Sequence, residues 1–381
     1  MKRIYCDNAA QRPLLPEVRD YIKEWLDKGF CNPSAIYSEA RACKKAIEEA
    51  RATVAQCIGA DPDEIFFTSG ATEGINMICK DDPSYILTTG IEHKAIIRHI
   101  GRRNLIATNE NGRVNIEKFY KYLTSTPDRF TVIIGWVNNE IGTIQPIDKI
   151  SGICQETKAC LCIDATQALG HIPINVHEIG CSALVGSFHK VGGLAGSGFM
   201  YIKRGSYFQP LILGGGQEKG MRAGTENFLG IVAGARALQI ATTDLDMKVS
   251  NMTMIRDNII TQLLEIPKSY LNGSLDNRVC NNINISFAGI EGESLVLNLD
   301  LHGIEASSGS ACNSVNIEPS HVLKAIGYGD HLAKASLRLT ISEGMTPDEA
   351  DYVIKTVKKC VGRLRVDSPK WKEICNESNR E

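Results

Sequence analysis

Apolar runs and helical spacings alternate along the first 240 residues. Short continuous hydrophobic runs occur at 64–68 (EIFFT), 85–88 (YILT), 131–137 (TVIIGWV), 160–163 (CLCI), 183–187 (ALVGS) and 199–202 (FMYI). Between two of them, residues 39–58 place Ala40, Cys43, Ala46, Ile47 and Ala50 three or four apart, the spacing of one buried helix face. Continuous rather than alternating strands are buried on both faces, so the rhythm predicts a mostly parallel sheet covered by helices. After about residue 245 the order changes. A helix over 245–266, a strand at 282–287, a helix at 292–299 and a strand at 336–341 read as a separate α+β unit. Its last helix is expected to begin at Thr346, with Pro347 in the first turn and Asp348 and Glu349 at the positive end. No internal repeat is visible, and the polar run from Lys370 is expected to be mobile.

Bulk properties narrow the function classes. A chain of 381 residues can hold two cores, and 43% hydrophobic with 23% charged residues is the balance of a folded globular protein. A net charge of −2 lacks the basic excess that nucleic acid or an anionic membrane surface would require. The N-terminus turns polar too early for a signal peptide, and no apolar run approaches membrane-spanning length. Thirteen cysteines, an odd number without a tight framework, fit reduced thiols in a cytoplasm. There is no C-x-x-C pair and no evident zinc or iron–sulfur ligand set, so no metal is expected.

The chemistry gathers where the predicted strands end. Ligands in open parallel sheets sit beyond the carboxyl ends of the strands. The first strand runs into Ser69-Gly70-Ala71-Thr72, a small-residue turn opening a helix whose free amides and dipole suit a phosphate. The second leads to Glu92-His93-Lys94, the third to Asn138-Asn139-Glu140, the fourth to Asp164 and Gln167, and the fifth to Ser187, His189 and Lys190. A lysine able to hold an aldehyde cofactor as a Schiff base, with a carboxylate to pair a pyridinium nitrogen, is what a protein contributes to pyridoxal phosphate chemistry. Nucleotide alternatives fare poorly: no G-x-x-x-x-G-K-[ST] occurs, and no G-x-G-x-x-G follows the first strand.

These segments resemble the fold-type-I pyridoxal phosphate enzymes, specifically the NifS/IscS-like cysteine desulfurases. The similarity runs from 5–10 (YCDNAA) through 31–34 (CNPS), 68–76 (TSGATEGIN), 92–95 (EHKA), 137–142 (VNNEIG), 164–167 (DATQ), 187–190 (SFHK), 220–227 (GMRAGTEN) and 307–314 (SSGSACNS) to Arg363-Leu364. It implies a large cofactor-binding domain over 14–245, with a mostly parallel seven-stranded sheet covered by helices. Residues 1–13 and 246–381 would form a smaller α+β domain carrying a mobile cysteine loop at about 306–320. It implies that Lys190 anchors pyridoxal 5'-phosphate, that His93 stacks on the ring and moves protons, and that Asp164 pairs the pyridine nitrogen. Asn139 and Gln167 would neighbour the phenolic oxygen or the substrate. Gly70, Ala71, Thr72, Ser187 and His189 would bind the phosphate, with Thr225 reaching over from the other subunit of a homodimer. Arg338, helped by Asn32, would clamp the substrate carboxylate, a task suited to a planar two-donor fork.

The resemblance also implies L-cysteine as substrate, L-alanine as product, and Cys312 as the thiol that carries sulfur as a persulfide. A protein acceptor would follow, for iron–sulfur cluster assembly or thio-modification, with no direct contact to nucleic acid or membrane. Cys312 sits in a Ser/Gly/Asn-rich stretch suited to an exposed loop, and access matters to a nucleophilic thiolate as much as pKa does. Selenocysteine lyase, a transaminase, and a poorly active sulfur-relay scaffold are the alternatives. The chain also departs from the usual pattern. It reads DNAAQRP at 7–13 where DNAATTP is usual, so Gln11 and Arg12 replace two small hydroxyl residues near the expected substrate site. Cys31 stands where glycine is common, and Asn313 where threonine or serine is common. These departures read either as neutral drift or as an altered substrate or specialised sulfur acceptor, since an added guanidinium at position 12 changes charge complementarity locally.

Overall fold

The structure, a computed structural model, describes residues 3–80, 85–100, 104–126, 129–309 and 318–378. Among these, seven strands form the central sheet: β2 (Ile65–Thr68), β3 (Ile86–Thr89), β4 (Leu105–Ile106), β5 (Thr131–Gly135), β6 (Cys160–Asp164), β7 (Ala183–Ser187) and β8 (Gly198–Ile202), numbered after a short β1 (Ile4–Tyr5). Their order is β2-β8-β7-β6-β5-β3-β4. β3, β4, β5, β6 and β7 pair in parallel, whereas β8 runs antiparallel to both β7 and β2. The expected mostly parallel, helix-covered sheet is therefore present. The inner strands are buried along their length, Val132, Ile134, Ile163 and Leu184 at 0–1% exposure, because helices pack on both faces.

A second layer comes from later in the chain. β9 (Ser269–Leu271), β10 (Asn282–Phe287) and β12 (Ser336–Thr340) make an antiparallel sheet in the order β12-β10-β9. β11 (Ile304–Glu305) pairs in parallel with β1, so the first residues of the chain join the last third. The helices Leu245–Leu264, Gly292–Leu301 and Pro347–Val366 fall where periodicity predicts them. The last of these opens with the predicted capping box, Thr346 Oγ1 accepting from Glu349 N while Glu349 Oε2 accepts from Thr346 N.

One expectation needs correction. The tail is helical over Pro369–Ser378 rather than loose. Trp371 gives it a dock, lying 3.8 Å from the Arg365 guanidinium and closing over Gly289. Of the stretch expected as a loop at about 306–320, residues 310–317 lie outside the described residues, and its first residues run beside β12. Ser307 and Arg338 exchange backbone hydrogen bonds of 3.2 and 2.7 Å, and Gly309 N donates to Ser336 Oγ at 3.3 Å. Among the described residues no helix is long and apolar enough to cross a membrane.

Candidate active site

Parallel strands deliver their carboxyl ends to one edge, and because β2 lies antiparallel to β8 it ends there as well. The register sets Gly135, Asp164 and Val185 side by side across β5, β6 and β7. A cavity of about 380 Å³ opens at this edge, within the size range of small-molecule sites. Ala71, Thr72, Ser187 and His189 line one wall; His93, Asn139, Asp164, Gln167, Lys190 and Arg338 line the rest.

Lys190 is positioned by a single tight turn. β7 stops at Ser187, Phe188 buries its ring in the core, and Val191 N and Gly193 N both donate to Phe188 O, at 3.1 and 2.9 Å. The turn throws the lysine into the cavity, where Nζ donates to the carbonyls of Ala9 (2.7 Å) and Ala10 (2.5 Å). Burial, then the nearby Arg338 charge, pushes this amine down to about 8 from an ordinary 10.5. About a tenth of it is thus neutral at pH 7, against well under a thousandth for an ordinary lysine. Burial and the Lys190 charge push neighbouring His189 down to about 4, so its ring is neutral.

The start of the helix Ala71–Ile78 meets the same wall. Ala71 N donates to Ser187 Oγ at 2.8 Å, tying the helix end to the end of β7. Gly70 stands behind the wall at φ +151°, and a Cβ there would come within 3.3 Å of Ser187 Oγ. On the opposite side, Asp164 Oδ1 accepts from Thr166 N at 2.9 Å, which fixes the carboxylate at the end of β6. His93 opens onto the cavity with Nδ1 accepting from Ala95 N at 3.2 Å. The neutral ring therefore carries its proton on Nε2. Desolvation by the cavity walls lowers its pKa, with Asp164 pulling the other way.

Arg338 projects from β12 and is 7% exposed. Its Nη2 donates to Asp7 Oδ1 at 2.7 Å and its Nη1 to Asn139 O at 3.0 Å, while its buried Nε has no partner among the described residues. An unspent donor on a fixed guanidinium is what a carboxylate ligand would use. Gln167 is held by its Nε2 donating to Ala9 O at 2.9 Å.

Not every expected residue arrives. Asn32 is exposed, its Oδ1 accepting from Ser34 N, and Thr225 is exposed; neither lines the cavity of its own chain. The guanidinium of Arg338 is fixed by Asp7 and Asn139. Cys312 and Asn313 lie outside the described residues. Arg12 and Gln11 do not line the cavity.

Two buried carboxylates join the lining. Glu92, 4% exposed, accepts from Thr89 Oγ1 (2.7 Å) and Gly135 N (2.8 Å), and burial pushes it up to about 8. A Cβ on Gly135 would lie 2.7 Å from its carboxylate, so glycine is needed there. Glu140 is buried with its pKa raised by desolvation, accepts from Ser320 Oγ, and takes Asn282 and Asn284 side-chain amides on its carbonyl at 3.0 and 2.9 Å. Both follow strand ends in the sequence, but burial was the missing signal.

The donor set fits pyridoxal phosphate on chemical grounds. A lysine amine brought down toward neutrality stands with a fixed carboxylate across one cavity, a helix start lies at its wall, and an orphaned guanidinium nitrogen remains for a substrate carboxylate. When bound, this cofactor supplies an electron sink for bonds at the substrate's amino-bearing carbon.

Comparison with known proteins agrees. The pattern of the class-V aminotransferases matches residues 4–353. A cysteine desulfurase IscS of Dictyoglomus turgidum is 41% identical over 391 aligned positions, covering 98% of this chain and 99% of that protein. The solved NifS-like protein of Rickettsia africae superposes with a TM-score of 0.87 at 31% identity, covering 94% and 99% of the two chains. A structure titled SspA in complex with cysteine gives a TM-score of 0.76 at 30% identity, covering 90% and 100%. The lysine-centred cavity and a match along nearly its whole length place this chain in the class-V aminotransferase family, whose cofactor is pyridoxal 5'-phosphate.

Proposed function

We propose that the chain is a cysteine desulfurase, converting L-cysteine to L-alanine and passing the sulfur to a thiol. The observation that carries this reading is the single cavity joining Lys190, His93, Asp164 and the unspent Nε of Arg338, in a chain 41% identical to a protein of that name. The relatives favour desulfuration over the selenocysteine and transamination alternatives.

The residues divide the work. Arg338 pairs the cysteine carboxylate through a guanidinium already fixed by Asp7 and Asn139. Lys190, with its lowered amine, holds the cofactor and takes or returns the proton at the amino-bearing carbon. His93, neutral with its proton on Nε2, is a second proton donor in the cavity. Asp164 would pair the ring nitrogen of the cofactor, and Ser187, His189 and the helix start at Gly70, Ala71 and Thr72 would hold its phosphate. The Cys312 thiolate attacks the substrate sulfur. The Cβ–S bond breaks, a persulfide forms on Cys312, and a proton completes the methyl group of alanine.

We further infer a homodimer in which Thr225 serves the neighbouring subunit, a cytoplasmic location, and a protein acceptor for the persulfide. A division into 14–245 and the remainder is supported by the seven-stranded sheet lying within residues 65–202 and the three-stranded sheet within 269–340. The test pairs two variants with cysteine as the only substrate. Lys190→Ala should lose the cofactor's visible absorption and all sulfide release. Cys312→Ser should keep the absorption and lose sulfur transfer; full desulfuration by Cys312→Ser would remove Cys312 from the role.

A further inference from the structure

Arg12 is turned away from the cavity, and its partner shows why. The side chain is about nine-tenths buried and forms an ion pair with Glu343, in the loop that follows β12. Burial of the Glu343 carboxyl opposes its charge, yet Arg12 holds its pKa below the ordinary value. His171 and Asn281 sit beside the pair and hydrogen-bond to each other at 3.0 Å, with His171 kept neutral by burial and by the Arg12 charge.

The segment that Arg12 ends is the one that touches both working side chains of the cavity. Asp7 Oδ1 takes Nη2 of Arg338, and the carbonyls of Ala9 and Ala10 take Nζ of Lys190. Asn8 and Ala9 tie to Thr340 at the end of β12, Asn8 Nδ2 to its carbonyl at 2.7 Å and Ala9 N to its hydroxyl at 2.9 Å. Arg12 N then donates to His189 O at 3.0 Å, on the turn that carries Lys190. Residues 7–12 thus form a strap between the strand bearing Arg338 and the turn bearing Lys190, and among the described residues two side-chain contacts hold its far end, Tyr5 Oη donating to Gln11 O at 2.5 Å and the pair of Arg12 with Glu343.

We propose that the Arg12–Glu343 ion pair locks this strap, and that Arg12 is a positioning residue aiming Lys190 and Arg338 without touching the cavity. A buried guanidinium tolerates loss of its carboxylate poorly, so the pair holds the backbone to one place. The proposal rests on the desulfurase reading only in using cysteine as the probe ligand.

The test compares Arg12→Ala, the size-conserving Glu343→Gln, and the reversed pair Arg12→Glu/Glu343→Arg in the cofactor-loaded enzyme. In Arg12→Ala the KM for cysteine should rise about tenfold, the loss of roughly one good hydrogen bond to Arg338's ligand, with kcat within about threefold. Amide exchange should quicken at 7–12 and 187–192 and stay unchanged in the helix Leu245–Leu264. In cofactor-free protein, Lys190 should acylate faster with an amine-directed reagent once Ala9 and Ala10 release it. The reversed pair should recover most of the KM. An unchanged KM with uniformly faster exchange would make the pair merely structural and overturn the proposal, as would a reversed pair no better than Arg12→Ala. If Arg12→Ala does not fold, Glu343→Gln carries the same expectations. Should the wild-type enzyme form no alanine from cysteine, the desulfurase reading fails, while local exchange and Lys190 acylation still decide the lock.

Discussion

Replacing Glu92 with glutamine should make the protein more stable at alkaline pH and no more stable at acidic pH. Glu92 is buried beneath the cavity and pushed up to about 8 from an ordinary 4.5, chiefly by desolvation. Because the folded pKa lies above the unfolded one, the folded state binds the extra proton between pH 4.5 and 8. Stability therefore falls as pH rises through that window and levels off above it. The difference of 3.5 units sets a ceiling of about 5 kcal/mol for the cost of ionising Glu92 in place. Glutamine keeps the shape and carries no charge to desolvate. Its carbonyl can accept from Gly135 N and its amide can donate to Thr89 Oγ1, the groups that Glu92 already meets. An isosteric swap in a packed site costs up to about 1.5 kcal/mol, leaving a net gain of roughly 3 kcal/mol at pH 9. For a chain of this length that corresponds to about 2–4 °C in melting temperature, read by calorimetry at pH 5 and pH 9. Equal shifts at both pH values, or a loss at pH 9, would refute the claim that Glu92 is held protonated by burial.

Three further outcomes follow from the geometry. Arg338→Lys should lower kcat/KM for cysteine about 10–100-fold, because one ammonium cannot serve Asp7, Asn139 O and a carboxylate ligand together; steady-state kinetics check this. Glu218→Ala should destabilise the fold by about 3–5 kcal/mol in chemical denaturation, since it strips the buried Arg51 guanidinium of two 2.8 Å bonds and Phe67 N of one. Raising pH from 6 to 9 should speed acylation of Lys190 in cofactor-free protein with a midpoint near 8, whereas surface lysines should still be climbing.

Much of this site was legible in the chain because strand ends announce themselves. Ser187, Lys190 and Asp164 each close a continuous apolar run, and parallel pairing brings such ends to one edge whatever the loops do. Glu92 and Glu140 stood at the same strand ends, but a carboxylate reads alike whether solvated or buried, so their burial had no local signal. The ion pair of Arg12 had no local signal for a related reason. Its partner Glu343 lies 331 positions away, and only the pairing of the N-terminal segment with β12 brings them together. β1, β4 and β11 are two residues long, shorter than any periodicity can mark. The tail helix was missed because one aromatic contact, Trp371 on Arg365, holds an otherwise polar segment.

The central claim is that this cavity takes sulfur from cysteine and leaves alanine. It is tested most directly by giving the cofactor-loaded enzyme L-cysteine alone, then measuring alanine and protein-bound sulfane sulfur in a single turnover. The account predicts one alanine for each persulfide formed, with the persulfide on Cys312 by peptide mass. Pyruvate in place of alanine, or alanine without bound sulfur while the cofactor absorption is intact, would contradict it.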